Sequence, residues 1–237
     1  MTTHYDSLGL KQDIVMDLSW LEGRAEITHD ESKTGFTAEL HNGVLWRALA
    51  SSRHGLNFHE ALSRYIDAPV ADTAALDFTA TDYSLVVWID PRHWIDDDML
   101  VMGRYAVNLR GWELYHNTSQ GGIITLRHHH PGVPTRSACY SLGWPNNIAT
   151  MRLFGVSRIM GQAQHYRDGQ QVQTICSAGG LLDPATNAVN DLTIGCRFSK
   201  DDHFWTGMMH RPRAWTRALG PHEHRAIFEL ERDWFGV

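Results

Sequence analysis

Short apolar, β-branched and aromatic runs recur along the chain, separated by glycine, proline, asparagine and aspartate. This pattern predicts β-strands joined by turns. The run from Ser84 to Pro91 is apolar on both faces, so we expect it to be a central strand of a two-layer structure. A helical pattern occurs only late in the chain, where Gly220-Pro221 precedes residues 223–231.

Two dipeptides predict tight turns within this pattern. Asn42-Gly43 separates two short strands in the segment 40–49, and Asp168-Gly169 offers the two positive-φ positions of a type I′ hairpin. About a dozen strands and one short C-terminal helix predict an all-β fold, a two-layer antiparallel β-sandwich in a single domain over residues 1–237. We interpret residues 1–39 as an N-terminal strand and loop, a candidate attachment segment.

The composition narrows the function classes. Of the 237 residues, 43% are hydrophobic, which suffices for a full core. The net charge is −6 without a basic cluster, so nucleic-acid binding is not expected. No apolar run is long enough to span a bilayer, and the N-terminus lacks a basic stretch followed by an apolar one. We therefore expect neither a transmembrane segment nor a secretory signal, and no membrane partner.

The three cysteines, Cys139, Cys176 and Cys196, match no zinc-binding spacing. Because their number is odd, one disulfide at most can form. Small secreted scaffolds are denser in cysteine than this chain. We therefore expect three reduced, semi-buried thiols.

Several segments, in chain order, resemble the laminin-G-like / concanavalin-A-like lectin–glucanase superfamily. They include a run that ends in Trp-x-x-Pro at Pro91 and a Tyr-x-Asp-Gly hairpin at residues 166–169. The matching segments are residues 55–58, 65–69, 78–91, 166–169, 192–195, 204–207 and 213–219, with Glu223. The resemblance implies a jelly-roll sandwich. It leaves the function open, because this fold hosts lectins, hydrolases, adhesion modules and virion proteins.

The glucanases of this superfamily carry paired carboxylates on one strand, as Glu-x-Asp-x-x-Glu or Glu-x-Asp-x-Glu. A two-residue period places the first Glu and the Asp on one face, as retaining hydrolysis requires. Glu26, Asp30 and Glu31 have the wrong spacing, and Glu229 and Glu231 lie in the predicted helix. We therefore expect no catalytic residues and no enzyme, and a glycoside hydrolase with an atypical site is the second alternative.

Two histidine clusters give no metal site. His128, His129 and His130 would alternate faces in a strand, so we interpret them as a polar edge or loop. His222-Glu223-His224 lacks the second histidine at the spacing of a metalloprotease helix.

Calcium is a common cofactor in the superfamily, and three adjacent carboxylates are the candidate ligands: Asp96, Asp97 and Asp98. A solvated turn is the favoured interpretation of these residues. We expect no other cofactor.

The candidate sugar-binding residues are tryptophans beside amides or carboxylates, since a sugar ring has an apolar face and polar edges. Trp144 with Asn146 and Asn147 ranks first, and Trp94 with Asp96 ranks second. Packing of each indole onto the core is the favoured alternative. Three other tryptophans are expected to fill the core: Trp88, Trp215 and Trp234.

Together these observations predict a non-catalytic structural or recognition module. Within that class we favour a virion surface protein, such as a phage capsid decoration or tail-associated protein. The fold resembles extracellular adhesion domains, yet the sequence shows no export signal and no paired cysteines, and assembly inside a cell followed by lysis satisfies both conditions. The expected partners are proteins of an assembly, either a homo-oligomer or a capsid or tail. A carbohydrate-binding lectin domain with glycan partners is the first alternative, located in the cytoplasm or outside the cell.

Overall fold

A computed structural model describes residues 5, 8–49, 53–91, 98–117, 122–142 and 150–237. Its strands, numbered in chain order, are β1 (Ile14–Asp17), β2 (Ile27–His29), β3 (Thr37–His41), β4 (Leu45–Ala48), β5 (His54–Phe58), β6 (Tyr65–Ala68), β7 (Tyr83–Pro91), β8 (Asp98–Ala106), β9 (Arg110–Asn117), β10 (Ile123–His129), β11 (Arg136–Ser141), β12 (Arg152–Ile159), β13 (Gln162–Arg167), β14 (Gln170–Gln171), β15 (Thr174–Cys176), β16 (Leu192–Ile194) and β17 (Gly207–Trp215). The helix α1 spans Pro221–Glu231, and 3-10 turns span Glu60–Leu62, Ala74–Leu76 and Arg232–Trp234. The helices of the described residues are too short or too polar to cross a lipid bilayer.

The strands form two antiparallel sheets that pack face to face, as the sequence predicts. Within the described residues the eight-stranded sheet has the order β14-β13-β12-β7-β17-β5-β4, with β1 paired to β17. The nine-stranded sheet has the order β15-β11-β10-β9-β8-β16-β6-β3-β2. Strand β7 lies between β12 and β17, and residues 85–89 are fully buried on both faces. Its prediction as a central strand is confirmed.

Alternation of side chains along each strand separates the core from the outer faces. In β9, Trp112 and Leu114 pack in the main core between the sheets, whereas Glu113 and Tyr115 point outward. The outward residues are nevertheless buried, because Arg127 stacks over Tyr115 and residues from the segment 196–203 cover this face. Around β9, both faces of the nine-stranded sheet therefore hold packed side chains.

The two predicted turns have different roles. Asp168 and Gly169 have φ values of 51° and 72° and join the paired strands β13 and β14, which confirms the hairpin. Asn42 and Gly43 also have positive φ, so the turn is confirmed. Strands β3 and β4 do not pair with each other, however, because β3 pairs with β6 and β4 with β5. The second turn carries the chain from one sheet to the other.

The expectation of three reduced thiols is wrong. Cys139 in β11 and Cys176 in β15 are cross-strand partners and form a disulfide, while Cys196 is a free and fully buried thiol. The two paired cysteines lie 37 residues apart in the sequence. Spacing could not show their pairing, because only the sheet order brings β15 beside β11.

The interpretation of His128 and His129 as a polar edge is also wrong. Both lie in β10, are fully buried and face opposite sides of the sheet. The His128 Nε2 atom lies 2.6 Å from the Tyr83 hydroxyl in the core, and the His129 Nε2 atom lies 3.0 Å from Oε1 of Glu113 on the outer face. Burial is tolerated because these ring nitrogens have hydrogen-bond partners.

Candidate functional site

The outer face of the eight-stranded sheet is covered by helix α1 and by residues 8–13. Between them and the sheet lies a second apolar cluster that includes Leu10, Val86, Trp88 and Ile227. Beside this cluster a pocket of about 230 Å³ opens to solvent. Its walls come from both ends of the chain and from β17, so it forms only when the termini dock onto the sandwich.

A β-bulge in β17 shapes the floor of this pocket. The register of β17 against β7 shifts between His210 and Arg213, and Arg211 has a φ of 50°, in the left-handed region. A bulge adds a residue to one strand and redirects its side chains. As a result His210 and Arg211 both line the pocket, and Arg211 and Arg213 both reach Glu231.

Glu231, at the end of α1, is fully buried behind the pocket. Arg213 donates to both of its carboxylate oxygens at 2.9 Å, and Arg211 donates to one at 3.0 Å. The Trp88 Nε1 atom donates at 2.6 Å, and the Tyr5 hydroxyl donates as well. Burial by itself would raise the pKa of Glu231, but the two guanidinium charges and these hydrogen bonds lower it to about 2.

Arg211 connects this cluster to the first strand. Its Nε and Nη2 atoms donate to the two carboxylate oxygens of Asp17 at 2.8 and 2.9 Å. Such a bidentate pair fixes the guanidinium plane. The N-terminal segment, β1, β17 and α1 are thereby held by one group of buried charges, which makes the pocket floor rigid.

The rim of the pocket combines an aromatic ring with polar groups. Trp234 is half-buried, and the Arg53 guanidinium lies 4.5 Å from its ring centroid. His210 meets the same ring edge-on at 5.9 Å. Lys11 and Glu31 also line the pocket. A half-exposed indole beside donors and acceptors suits a ligand with an apolar face and a polar edge.

The outer face of the nine-stranded sheet has a comparable group of charges without comparable space. Glu113 accepts from Arg127 at 2.9 Å and lies 3.0 Å from the His129 ring. Phe198 packs edge-on against Tyr105, at 5.3 Å between the ring centroids. The cavity that remains has a volume of about 40 Å³, so the part of this face around Glu113 is closed to ligands larger than a few waters.

Two groups with residue types used in catalysis, Glu113 and a Ser-His pair, are held in buried structural contacts. Burial would raise the pKa of Glu113, but hydrogen bonding to His129 and the nearby charges lower it, which does not suit a general acid. Ser157 lies 2.9 Å from the Nε2 atom of His224, yet both are fully buried. Ser157 also donates to the Leu219 carbonyl, and burial lowers the pKa of His224 to about 3. This pair anchors α1.

Most residues proposed from the sequence as ligands lie outside the described residues: Trp94, Asp96, Asp97, Trp144, Asn146 and Asn147. Asp98 begins β8, is half-buried and lines the small cavity beside Arg127. Burial by itself would lower the pKa of Arg127, but Glu113 above all, with Tyr115 and Asp98, raises it. A neighbouring guanidinium disfavours a calcium ion at Asp98. Calcium binding stays a prediction.

The pocket residues were missed by sequence reasoning. Trp88 and Trp215 fill the interior as expected, but Trp234 is half-buried at the rim and does not. Glu231 could have been found from the helix pattern, because its spacing from His224, Ile227 and Phe228 places it on the buried face of α1. A carboxylate on an apolar face requires buried partners. No such pattern indicates the bulge at Arg211.

Comparison with known families decides the classification. The family model for the concanavalin A-like lectin/glucanases superfamily, of the laminin-G type, matches residues 63–223, about two thirds of the chain. The chain belongs to this superfamily. The matched segment runs from the residues before β6 to the first turn of α1, so it includes most of both sheets and ends before Glu231. No curated protein sequence matches this member of the superfamily.

Solved structures of the binding domains of toxins share the fold. The binding domain of Paraclostridial Mosquitocidal Protein 1 superposes with a TM-score of 0.70 at 12% identity, and the Botulinum Neurotoxin Type G Receptor Binding Domain with 0.65 at 14%. The binding domain of Botulinum Neurotoxin DC in complex with SialylT gives 0.65 at 9%. These matches cover 92 to 93% of this chain but 52% of each toxin structure. The chain thus has a lectin-like binding-domain fold and spans about half the length of these relatives.

Proposed function

We propose that this domain is a non-catalytic glycan-binding module and that the pocket beside Trp234 is its binding site. The observation that carries the proposal is the half-buried indole, flanked by Arg53 and His210 above a rigid charged floor. The superfamily and the binding-domain fold of the toxin relatives support it. One of those relatives is described in complex with SialylT, and this is a property of a chain about twice as long.

The chemistry of the pocket is that of carbohydrate recognition. A pyranose ring presents C–H groups on one face, which pack against an indole, and hydroxyls around its edge, which need donors and acceptors. Arg53 and Lys11 supply donors, and Glu31 supplies an acceptor. A volume of about 230 Å³ accommodates a terminal sugar and leaves the rest of a glycan in solvent.

A glycan array probed with the full chain tests the proposal, with neutral and sialylated glycans and with calcium present or chelated. We expect a subset of glycans to bind, and we expect Trp234→Ala to weaken that binding by about 1–2 kcal/mol, which is about 5- to 30-fold in affinity. The matched control is Tyr140→Ala, which removes a half-buried aromatic ring from β11 of the other sheet. Absence of binding to every glycan, or equal loss in both variants, contradicts the proposal.

The sequence-derived sites at Trp144 and Trp94 can be separated from this pocket in the same assay. If Trp144→Ala or Trp94→Ala abolishes binding while Trp234→Ala retains it, the glycan site lies in those segments. Dependence of binding on calcium would support the site proposed at residues 96–98.

The virion assignment stays a prediction. A binding fold does not distinguish a free recognition module from one built into a particle. The virion assignment rested in part on unpaired cysteines, and the disulfide between Cys139 and Cys176 removes that premise. A structural disulfide favours a site of action in an oxidising environment, such as the extracellular space or a particle surface. The single-domain assignment over residues 1–237 and an assembly of several copies also stay predictions.

A further inference from the structure

Three side chains with metal-ligating atoms converge on one edge of the nine-stranded sheet. Glu39 and His41 are two residues apart in β3, so they share its outer face, while Ala38 and Leu40 pack toward the core. Asp67 of β6 is the cross-strand partner of Glu39. Directly opposed residues have neighbouring Cβ atoms, so the three side chains extend from adjacent positions on one surface.

Their ligand atoms are close enough to share one ion. The Nε2 atom of His41 lies 2.8 Å from Oδ1 of Asp67 and 3.9 Å from Oε2 of Glu39, and all three ligand atoms lie within 4.8 Å of one another. Ligands about 2.0–2.2 Å from a tetrahedral zinc ion lie roughly 3.3–3.6 Å apart. Small side-chain rotations bring this group to that spacing. We propose that Glu39, His41 and Asp67 form a binding site for a divalent transition-metal ion such as zinc.

Surrounding residues already orient the three ligands. The His41 ring stacks on Tyr65 with centroids 4.4 Å apart and planes 13° apart. The ammonium of Lys200 binds Oδ2 of Asp67 and leaves Oδ1 facing His41, and Asp191 accepts from Lys200 at 2.9 Å. Contacts of this kind orient the ligands of a metal ion. The positive charge of Lys200 opposes cation binding, so the site depends on the negative charges around it to outweigh that repulsion.

The charge and the ligand types select the ion. Glu39, Asp67 and Asp191 carry three negative charges against one positive charge on Lys200, which leaves two for a divalent cation to balance. An imidazole ligand favours zinc and related metals over calcium, which takes oxygen ligands. The Glu39 side chain is 67% exposed, so one side of the site is open to a water or another fourth ligand.

Zinc titration of the metal-free full chain, followed by calorimetry, tests the site. We expect one zinc equivalent whose affinity falls more than about tenfold in His41→Ala and in Asp67→Asn. The matched control is His29→Ala on the neighbouring strand β2. His29 faces Glu22 at 3.3 Å, a histidine–carboxylate pair that belongs to no three-ligand group of the described residues. The control should keep the zinc equivalent of the native chain.

The Glu39→Gln variant should keep the fold, because the Glu39 side chain is largely exposed. This variant should also bind zinc more weakly than the native chain. Calcium in tenfold excess should leave the zinc equivalent in place. The proposal is overturned if the native chain binds no more zinc than His41→Ala, if His29→Ala loses as much as His41→Ala, or if calcium displaces the ion. The remaining explanation would then be a plain hydrogen bond between His41 and Asp67.

Discussion

A buried glutamate lies against the outer face of each sheet, and the two glutamates have different surroundings. Glu113 lies in the middle of β9 and binds Arg127 and His129, which are 14 and 16 residues away on the next strand. Glu231 lies at the end of α1 and binds Arg211, Arg213 and Tyr5, the last of them 226 residues away. One is a contact between neighbouring strands, and the other joins the two ends of the chain.

The difference decides how much space remains beside each glutamate. Around Glu113 the strands are regular and one covering segment closes the face, which leaves about 40 Å³. Around Glu231 a helix, an N-terminal segment and a bulged strand meet, and elements of such different shapes leave about 230 Å³ between them. The charged groups around Glu113 are therefore largely closed off from solvent by the covering segment. Those around Glu231, where a helix, a loop segment and a bulged strand meet, border a pocket.

Removal of the two glutamate charges should show the largest contrast. We expect Glu231→Gln to lower the free energy of unfolding by about 3–5 kcal/mol, because it leaves the buried guanidinium of Arg213 without its carboxylate partner, while Arg211 keeps Asp17. Glu113→Gln should cost about 1–3 kcal/mol, because the Arg127 side chain is 20% exposed and can be hydrated. Urea unfolding of both variants measures the difference. Equal losses would refute the distinction between the two clusters.

Low pH should lower the free energy of unfolding, because two buried histidines near the Glu231 cluster resist protonation in the folded chain. Burial lowers the pKa of His210 to about 4 and that of His224 to about 3, and both contact the outer face of the eight-stranded sheet. Three further buried histidines shift the same way: His116, His128 and His165.

Below pH 6.5 the unfolded chain binds protons at these histidines and the folded chain does not, so stability is full above pH 6.5 and falls as the pH decreases toward 4. Each histidine contributes a slope of about 1.4 kcal/mol per pH unit. His210→Asn should reduce the slope of unfolding free energy against pH by about one proton. The exposed His29→Asn variant is the control, and an unchanged slope in His210→Asn would contradict this account.

The bulge can be tested by replacement with glycine, which usually destabilises a strand relative to alanine but should stabilise it at a residue with positive φ. We expect Arg211→Gly to be more stable than Arg211→Ala by about 1 kcal/mol, because only glycine adopts the positive φ without strain. At Arg213, which lies outside the bulge, alanine should be the more stable replacement by about 0.5–1 kcal/mol. Thermal unfolding of the four variants measures both differences, and the same order at both positions would argue against a strained Arg211.

The smallest effect is expected on the solvent face of α1. Arg225 and Glu229 form an exposed pair one helical turn apart. Arg225→Gln should change the free energy of unfolding by less than about 0.5 kcal/mol, since exposed pairs are screened by water and salt. A loss comparable to that of Glu231→Gln would show that the helix is held by its surface charges, contrary to the buried cluster described above.

Much of the fold could be predicted from the sequence because it depends on local patterns. The two-sided apolar run at β7, the Asp168-Gly169 hairpin and the Gly220-Pro221 helix start are each readable within a few residues. The candidate site was much harder to predict from the sequence. His129, Cys139 and Trp234 were misassigned, since their surroundings come from strands or segments distant in the sequence.

The sequence by itself determined the strand-rich pattern, the superfamily and the late helix, because the alternation of side chains and the turn residues act over neighbouring positions. Only the tertiary structure decided that Cys139 meets Cys176, that Arg211 turns toward Glu231 through a bulge, and that Glu39, His41 and Asp67 share one surface. These contacts depend on which strands become neighbours. The order of strands in a sheet results from the packing of the whole chain and is not encoded in any short segment.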